Sequence, residues 1–318
     1  MAYQLKPNEP VSRGIKRIVL EQIDKALEQL TGKAGTSEEK AVHESRKRFK
    51  QIRAVIRLVQ EDIGKATYKR ENACFRDIGR LLSDVRDAQV RIETLDKLTA
   101  HFSEAIAPDQ FAKVRQTLEA DYRSTQNSVP AENNPTTSAI AMLKKARKRV
   151  DDWPFQHDDW FSLQHGLNQM YKQGKEAFRV AGEQPTAENM HEWRKRVKDL
   201  WYHLKILQPV WPGMMAEQIE QAHLLANDLG DDHDLAVLCE FVTTQPKRFN
   251  KKDRIDELVN LIGCRREQLQ MAAKLRGQRL YAERAKAFVD RIKAYWQVWQ
   301  TEAEMPSPKK PSSLAKAS

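Results

Sequence analysis

One block of sequence occurs twice in this chain, and the distance between the copies limits what the chain can fold into. Val42-His43-Glu44-Ser45-Arg46-Lys47-Arg48-Phe49-Lys50 is matched by Met190-His191-Glu192-Trp193-Arg194-Lys195-Arg196-Val197-Lys198, 148 residues further on in a chain of 318. At about 100° per residue, His43, Arg46, Lys47, Lys50, Arg53 and Arg57 fall in one stripe roughly 120° wide. His191, Arg194, Lys195, Lys198 and Lys205 form the equivalent stripe of the second copy. The opposite face carries Phe49, Ile52, Val55, Ile56 and Val59 in the first copy, and Val197, Leu200, Leu204 and Leu207 in the second. Each block therefore predicts an amphipathic helix with a wet cationic side and a buried apolar side.

A second match keeps nearly the same register. Leu82-Ser83-Asp84-Val85-Arg86-Asp87-Ala88-Gln89-Val90 aligns with Leu229-Gly230-Asp231-Asp232-His233-Asp234-Leu235-Ala236-Val237 at a spacing of 147. Two motifs in step argue for duplication of a whole helical unit. The apolar spacing predicts helices over 11–30, 67–102, 108–126 and 138–150 in the first half, with Thr36 and Glu39 as a capping box opening the basic helix to about Asp62. A loop is expected over 127–137. The second half repeats the order: helices at 158–181, at 187–208 after the entry signal Pro185-Thr186, and at 214–244, 252–275 and 278–303. No segment shows the β-branched alternation of a strand bounded by turns. The expected fold is all-α: two helical bundles, 11–150 and 151–303, related by an approximate two-fold axis with a basic channel or groove between them. A short extension, 1–10, precedes them, and a disordered tail, 304–318, follows.

Lys and Arg exceed Asp and Glu by 54 to 44, a net charge of +10 and a pI near 9.4. That balance points to a polyanionic partner. Cys74, Cys239 and Cys264 have no CxxC spacing, so neither a disulfide framework nor a zinc site is indicated, and a reducing compartment suits them. The polar N-terminus has no signal-peptide core, and nowhere do 18 apolar residues run together, so a soluble cytoplasmic protein with no membrane partner is expected.

The paired H-E-x-R-K-R-x-K and R/H-D-x-x-V blocks in an all-helical chain resemble the CHAD family, the conserved histidine α-helical domain. The segment Gly277-Gln278-Arg279-Leu280-Tyr281-Ala282-Glu283-Arg284-Ala285-Lys286-Ala287-Phe288 is similar to that family's closing segment, and the resemblance covers about residues 11–300. It implies non-catalytic binding of inorganic polyphosphate in a basic channel between two bundles, with association with polyphosphate granules. Some members carry a triphosphate tunnel domain marked by an E-x-E-x-K strand. Here there is only Glu302-Ala303-Glu304-Met305-Pro306, at a helix end. Arg279 and Lys286 enter the expected binding set through this closing segment. Arg86 stands where the second half has His233, so histidine there is not obligatory metal chemistry in both halves. Trp201 stands at the place of Arg53.

A phosphate chain has about one charge per internal unit and no bases to read, so spaced cations suit it better than a shaped pocket. Arginine offers a planar fork for phosphate oxygens and lysine a mobile point charge. His43 to Arg57 spans about 21 Å of helix. His43 and His191 are expected to be mainly neutral when free and to gain protons when a polyanion binds. Arg48 and Arg196 sit on the apolar flank and need carboxylates. Glu44 and Glu192 at i−4 compete for that place with the recurring Asp87 and Asp234. Lys144, Lys145, Arg147, Lys148, Arg149, Arg284, Arg291 and Lys293 read mainly as solvated surface charge.

Three rival readings are weaker. His191, His203, Asp231, His233 and Asp234 suggest a metal-dependent phosphohydrolase, but the surrounding cations would repel a divalent ion. A nucleic-acid binder fits the charge, yet only Trp193 and Trp201 lie near the stripe to stack on bases; weak non-specific binding is the expectation. Gly32-Lys33-Ala34-Gly35-Thr36-Ser37 lacks phosphate-loop spacing and a preceding strand. No nucleophile is paired with a base, and no cofactor is implied. The expectation is a binding protein, not an enzyme, with its oligomeric state left open.

Overall fold

The computed structural model describes residues 3–82, 84–127, 135–249 and 254–305. The tail from 306 on, with Lys309 and Lys310, lies outside the described residues, as does the side chain of Arg86. The regular structure of the described residues is helical, without strands: α1 (Val11–Leu30), α2 (Glu38–Leu58), α3 (Lys65–Leu81), α4 (Asp84–His101), α5 (Ala112–Asn127), α6 (Pro135–Val150), α7 (Phe161–Glu183), α8 (Ala187–Leu207), α9 (Pro212–Thr244), α10 (Ile255–Leu280) and α11 (Ala285–Glu304). The helix expected over 67–102 is two helices, α3 and α4, whereas its second-half counterpart α9 runs unbroken. The last helix starts at Ala285, after a turn at Tyr281, and runs to Glu304, past the expected start of the tail.

Local chemistry sets the ends of the two basic helices. Gly32 at φ 76° turns the chain just after α1 and opens the connection to α2, a conformation that costs glycine little. The N-cap of α2 is Ser37, one residue later than expected: its side chain accepts from the Lys40 amide at 3.4 Å, while Thr36 Oγ1 donates to Gln29 Oε1 at 2.9 Å. In the second copy Thr186 caps α8, accepting from the Asn189 amide at 3.2 Å.

The apolar side chains collect into two cores, and each draws on both halves of the sequence. The larger contains Ile15, Ile52 and Phe75 from the first half, with Leu167, Leu200, Leu225 and Trp296 from the second. The smaller packs Leu95 and Leu98 of α4, Phe111 just before α5 and Leu118 of α5 against Leu238, Phe241, Leu258 and Ile262 of α9 and α10. The two halves thus interlock and do not form one core each. Helix α2 contacts both α7 and α8, and α4 lies along α9. Gly166 of α7 makes the first crossing close: a Cβ there would stand 1.9 Å from the Leu58 carbonyl oxygen.

Buried charge is paired where it holds helices together. Glu71 of α3 is fully buried and takes a two-pronged contact from Arg149 of α6, 2.8 Å on each side, plus Arg70 at 2.7 Å. Burial alone would raise this carboxyl, but the two guanidinium groups outweigh it and hold it below the ordinary range. Asp232 of α9, 1% exposed, accepts from Arg266 at 3.0 Å and Gln270 at 2.8 Å.

Candidate functional site

At the seam between the two cores, α2, α4, α8 and α9 enclose a cavity of about 710 Å³. Helix α2 contributes His43, Arg46, Lys47 and Lys50, the i, i+3, i+4 and i+7 positions of one face. Helix α8 contributes His191, Arg194 and Lys198, with Trp201 and Tyr202 beyond them. Asp87, Val90 and Arg91 of α4 close one side, and His223, Asn227, His233 and Asp234 of α9 close another. The two copies of the basic block, remote in sequence, therefore face one space.

Most of the charge around this space is of one sign. Arg46 reaches Asp87 at 3.5 Å and the Leu82 carbonyl at 3.3 Å; Arg91 reaches Asp121 at 2.5 Å and lies over the Phe241 ring. Lys47 pairs with Glu44 of its own helix at 3.8 Å. Lys50, Arg194 and Lys198 have no ion pair among the described residues, and the buried Nε of Arg194 has no acceptor. Lys50 lines the cavity and is exposed to it. Burial, then Arg194 and Arg46, push its ammonium down to about 8. Burial, Arg194 and Lys50 push Lys198 down to about 7. Arg194 and the two lysines thus disfavour the charge on each lysine.

His191 and His233 are held neutral near pH 7. Burial, with Arg194 and Lys195 nearby, lowers His191. The rings of His191 and His233 lie 4.2 Å apart, tilted by 35°, and burial, Arg194 and His191 drive His233 down to about 3. Burial raises the Asp234 carboxyl against the pull of Arg194.

Several residues expected in the binding stripe lie elsewhere. Arg57 turns to Asp199 of α8 at 2.9 Å and ties the two basic helices together. Arg53 donates to Asn72 of α3 at 3.0 Å; burial, then Arg57, lowers it to about 10. The stripe leaves the cavity after Lys50 because α2 there packs against α3 and α8. Lys195 turns outward beside Glu192. Lys205 lies over the Trp201 ring at 5.1 Å, next to the cavity wall; burial, Lys47 and Arg48 lower its pKa. Arg279 and Lys286 are exposed at the end of α10 and the start of α11, away from the cavity.

The supporting residues also sort differently. Asp87, His233 and Asp234, expected as structural, line the cavity. Arg48 and Arg196 take the local partners: Arg48 reaches Glu44 at 3.9 Å and Gln22 at 3.1 Å, and Arg196 reaches Glu192 at 2.8 Å and Asp199 at 3.6 Å. Arg91, His223 and Tyr202 are cavity residues the basic repeat did not reveal, while Trp201, noted at the place of Arg53, also lines the cavity. Arg91 lies one turn after Asp87, the one signal that pointed to it.

The metal constellation does not assemble. His203 is fully buried away from the cavity, its Nε2 donating to the Ala54 carbonyl at 2.8 Å, and burial lowers it to about 4. Among the described residues, no three His, Cys, Asp or Glu side chains are grouped to hold a metal ion, and no helix is long and apolar enough to cross a membrane.

Fold and site together define an all-helical protein built around a cation-lined cavity. The CHAD domain profile matches residues 17–243, and the chain belongs to the CHAD domain family. Among solved structures, PptA from Streptomyces chartreusis is similar in fold, with a TM-score of 0.58 at 12% identity over 86% of this chain and 100% of that one. No curated protein matches the chain.

Proposed function

We propose that this protein binds inorganic polyphosphate, without catalysis or cofactor, in the cavity between α2, α4, α8 and α9, and that it associates with polyphosphate granules in the cytoplasm. The observation that carries this reading is the convergence of Lys50, Arg194 and Lys198, from both copies of the basic block, with no ion pair among the described residues. Three cations crowded together, with Asp87 and Asp234 nearby but in no ion pair with them, form an unfavourable arrangement that a polyanion relieves. Membership in the family supports the same ligand. The flexible, base-free chain also suits a cavity with cations on two facing walls.

The test is a titration against tripolyphosphate and long-chain polyphosphate, with single-stranded RNA as competitor at fixed salt. Affinity rising with chain length, and RNA failing to displace an equal phosphate concentration of polyphosphate, is the expected result. RNA displacing polyphosphate readily would instead favour a nucleic-acid role. Orthophosphate release that stops on addition of EDTA would contradict the non-catalytic reading.

A further inference from the structure

The 710 Å³ cavity is not isolated. A neighbouring concavity of about 360 Å³ shares Arg194, Lys198, Asn227 and Asp234 with it and adds Lys97 and Asp231. A third, of about 260 Å³, shares Lys97, Asp231 and Asp234 with the second and adds His101 and Arg265. One face of α4 follows the whole sequence: Asp87, Val90 and Arg91 at the first cavity, then Thr94, Lys97, Leu98 and His101 at the others. These are the i, i+3, i+4, i+7, i+10, i+11 and i+14 positions of a single helical stripe, about 21 Å long. On the opposing helix α9, Asn227, Gly230, Asp231 and Asp234 run alongside.

Cations stand at both ends of this path and acids in its middle. At the far end Arg265 Nη1 lies 3.3 Å from His101 Nε2, and both meet Gln268 Oε1 at 3.0 Å. Midway, Lys97 Nζ bridges α4 to α9 through Asp231 at 3.4 Å, with Lys97 71% exposed.

We infer that the three concavities form one track between α4 and α9, along which a phosphate chain seated in the central cavity continues to Arg265, with the Lys97–Asp231 pair as a latch that gives up its lysine to the chain. This rests on the polyphosphate reading and extends it to the exit path and its length dependence. A chain too short to leave the central cavity meets neither Lys97 nor Arg265. A longer one exchanges the Lys97–Asp231 contact for a phosphate contact and passes Asp231 at the cost of like-charge repulsion.

The test uses the full chain and three proteins: wild type, Lys97→Ala/Arg265→Ala, and Asp231→Asn, each checked for unchanged helix content. Tripolyphosphate should bind all three alike. Long-chain polyphosphate should bind the double variant about ten-fold more weakly, with a salt slope reduced by about 1 to 2. It should bind Asp231→Asn about three-fold or more tightly than wild type, a gain that mere loss of a structural ion pair would not give. Long-chain affinity unchanged in both variants, while Arg46→Glu/Lys47→Glu/Lys50→Glu abolishes it, overturns the track and leaves the central site standing. Wild type binding neither probe overturns the polyphosphate reading and the track with it.

Discussion

Raising the pH from 7 to 8 should weaken binding of long-chain polyphosphate by about ten-fold, and two lysines set that magnitude. Lys198, lowered to about 7, is about half charged at pH 7 and about one-tenth charged at pH 8. Lys50, lowered to about 8, falls from about nine-tenths charged to about half. A bound polyanion holds both fully charged, so binding takes up about 0.6 proton at pH 7 and about 1.4 at pH 8. The two groups repel one another, so these protons belong to the pair. The sign follows directly: the free site binds fewer protons than the complex, and affinity falls as pH rises. His191 and His233 are lowered in the free site, so any proton they gain from the bound chain adds to this uptake and keeps its sign. Isothermal titration calorimetry in buffers of differing ionisation enthalpy, at constant ionic strength, counts the protons. Long chains are the right probe because their internal phosphates stay ionised throughout. Zero proton uptake with flat affinity between pH 7 and 8 would refute the reasoning.

Other consequences are as specific. Changing Arg46, Lys47 and Lys50 together to Glu should abolish polyphosphate binding with helix content by circular dichroism intact, whereas Lys309→Glu/Lys310→Glu should have little effect. Lys198→Met should weaken binding yet raise the melting temperature by ~5 °C at pH 7. The folded-state pKa of Lys198 is depressed, so the unfolded chain binds more protons between about 7 and the ordinary lysine value. Wild-type stability accordingly rises with pH through that window, and thermal melts should show this rise shrinking in the variant. Glu71→Ala, which strands Arg149 between α3 and α6, should cost about 3 kcal/mol in denaturant unfolding, with phosphate-chain affinity preserved in the folded fraction.

Much of this architecture could be read from residue spacing, because long amphipathic helices announce themselves through burial on one side. The helices and the facing of His43 to Lys50 against His191 to Lys198 belong to that class. Spacing was less informative about which stretch of a helix meets which neighbour. Arg53 and Arg57 continue the α2 stripe in projection but meet Asn72 and Asp199, since a helix of this length packs against different partners at its two ends. Ser37 took the cap from Thr36 because adjacent hydroxyl residues compete and only backbone geometry decides between them. The carboxylates fell to Arg48 and Arg196 from one helical turn away, and this freed Asp87 and Asp234 to line the cavity. His223 has no partner in the repeat, and Arg91 was marked only by its place one turn after Asp87.

The sharing of both cores between the two halves also bears on how the chain is made. As α4 and α5 leave the ribosome, Leu95, Leu98, Phe111, Val114 and Leu118 have only one another for cover, since their remaining partners begin at Leu235 and continue to Leu269. Contacts so distant in sequence form late, and until they do this hairpin exposes an apolar flank. The smaller core therefore cannot close until α9 and α10 have been made, and until then the nascent α4–α5 pair calls for shielding by a chaperone.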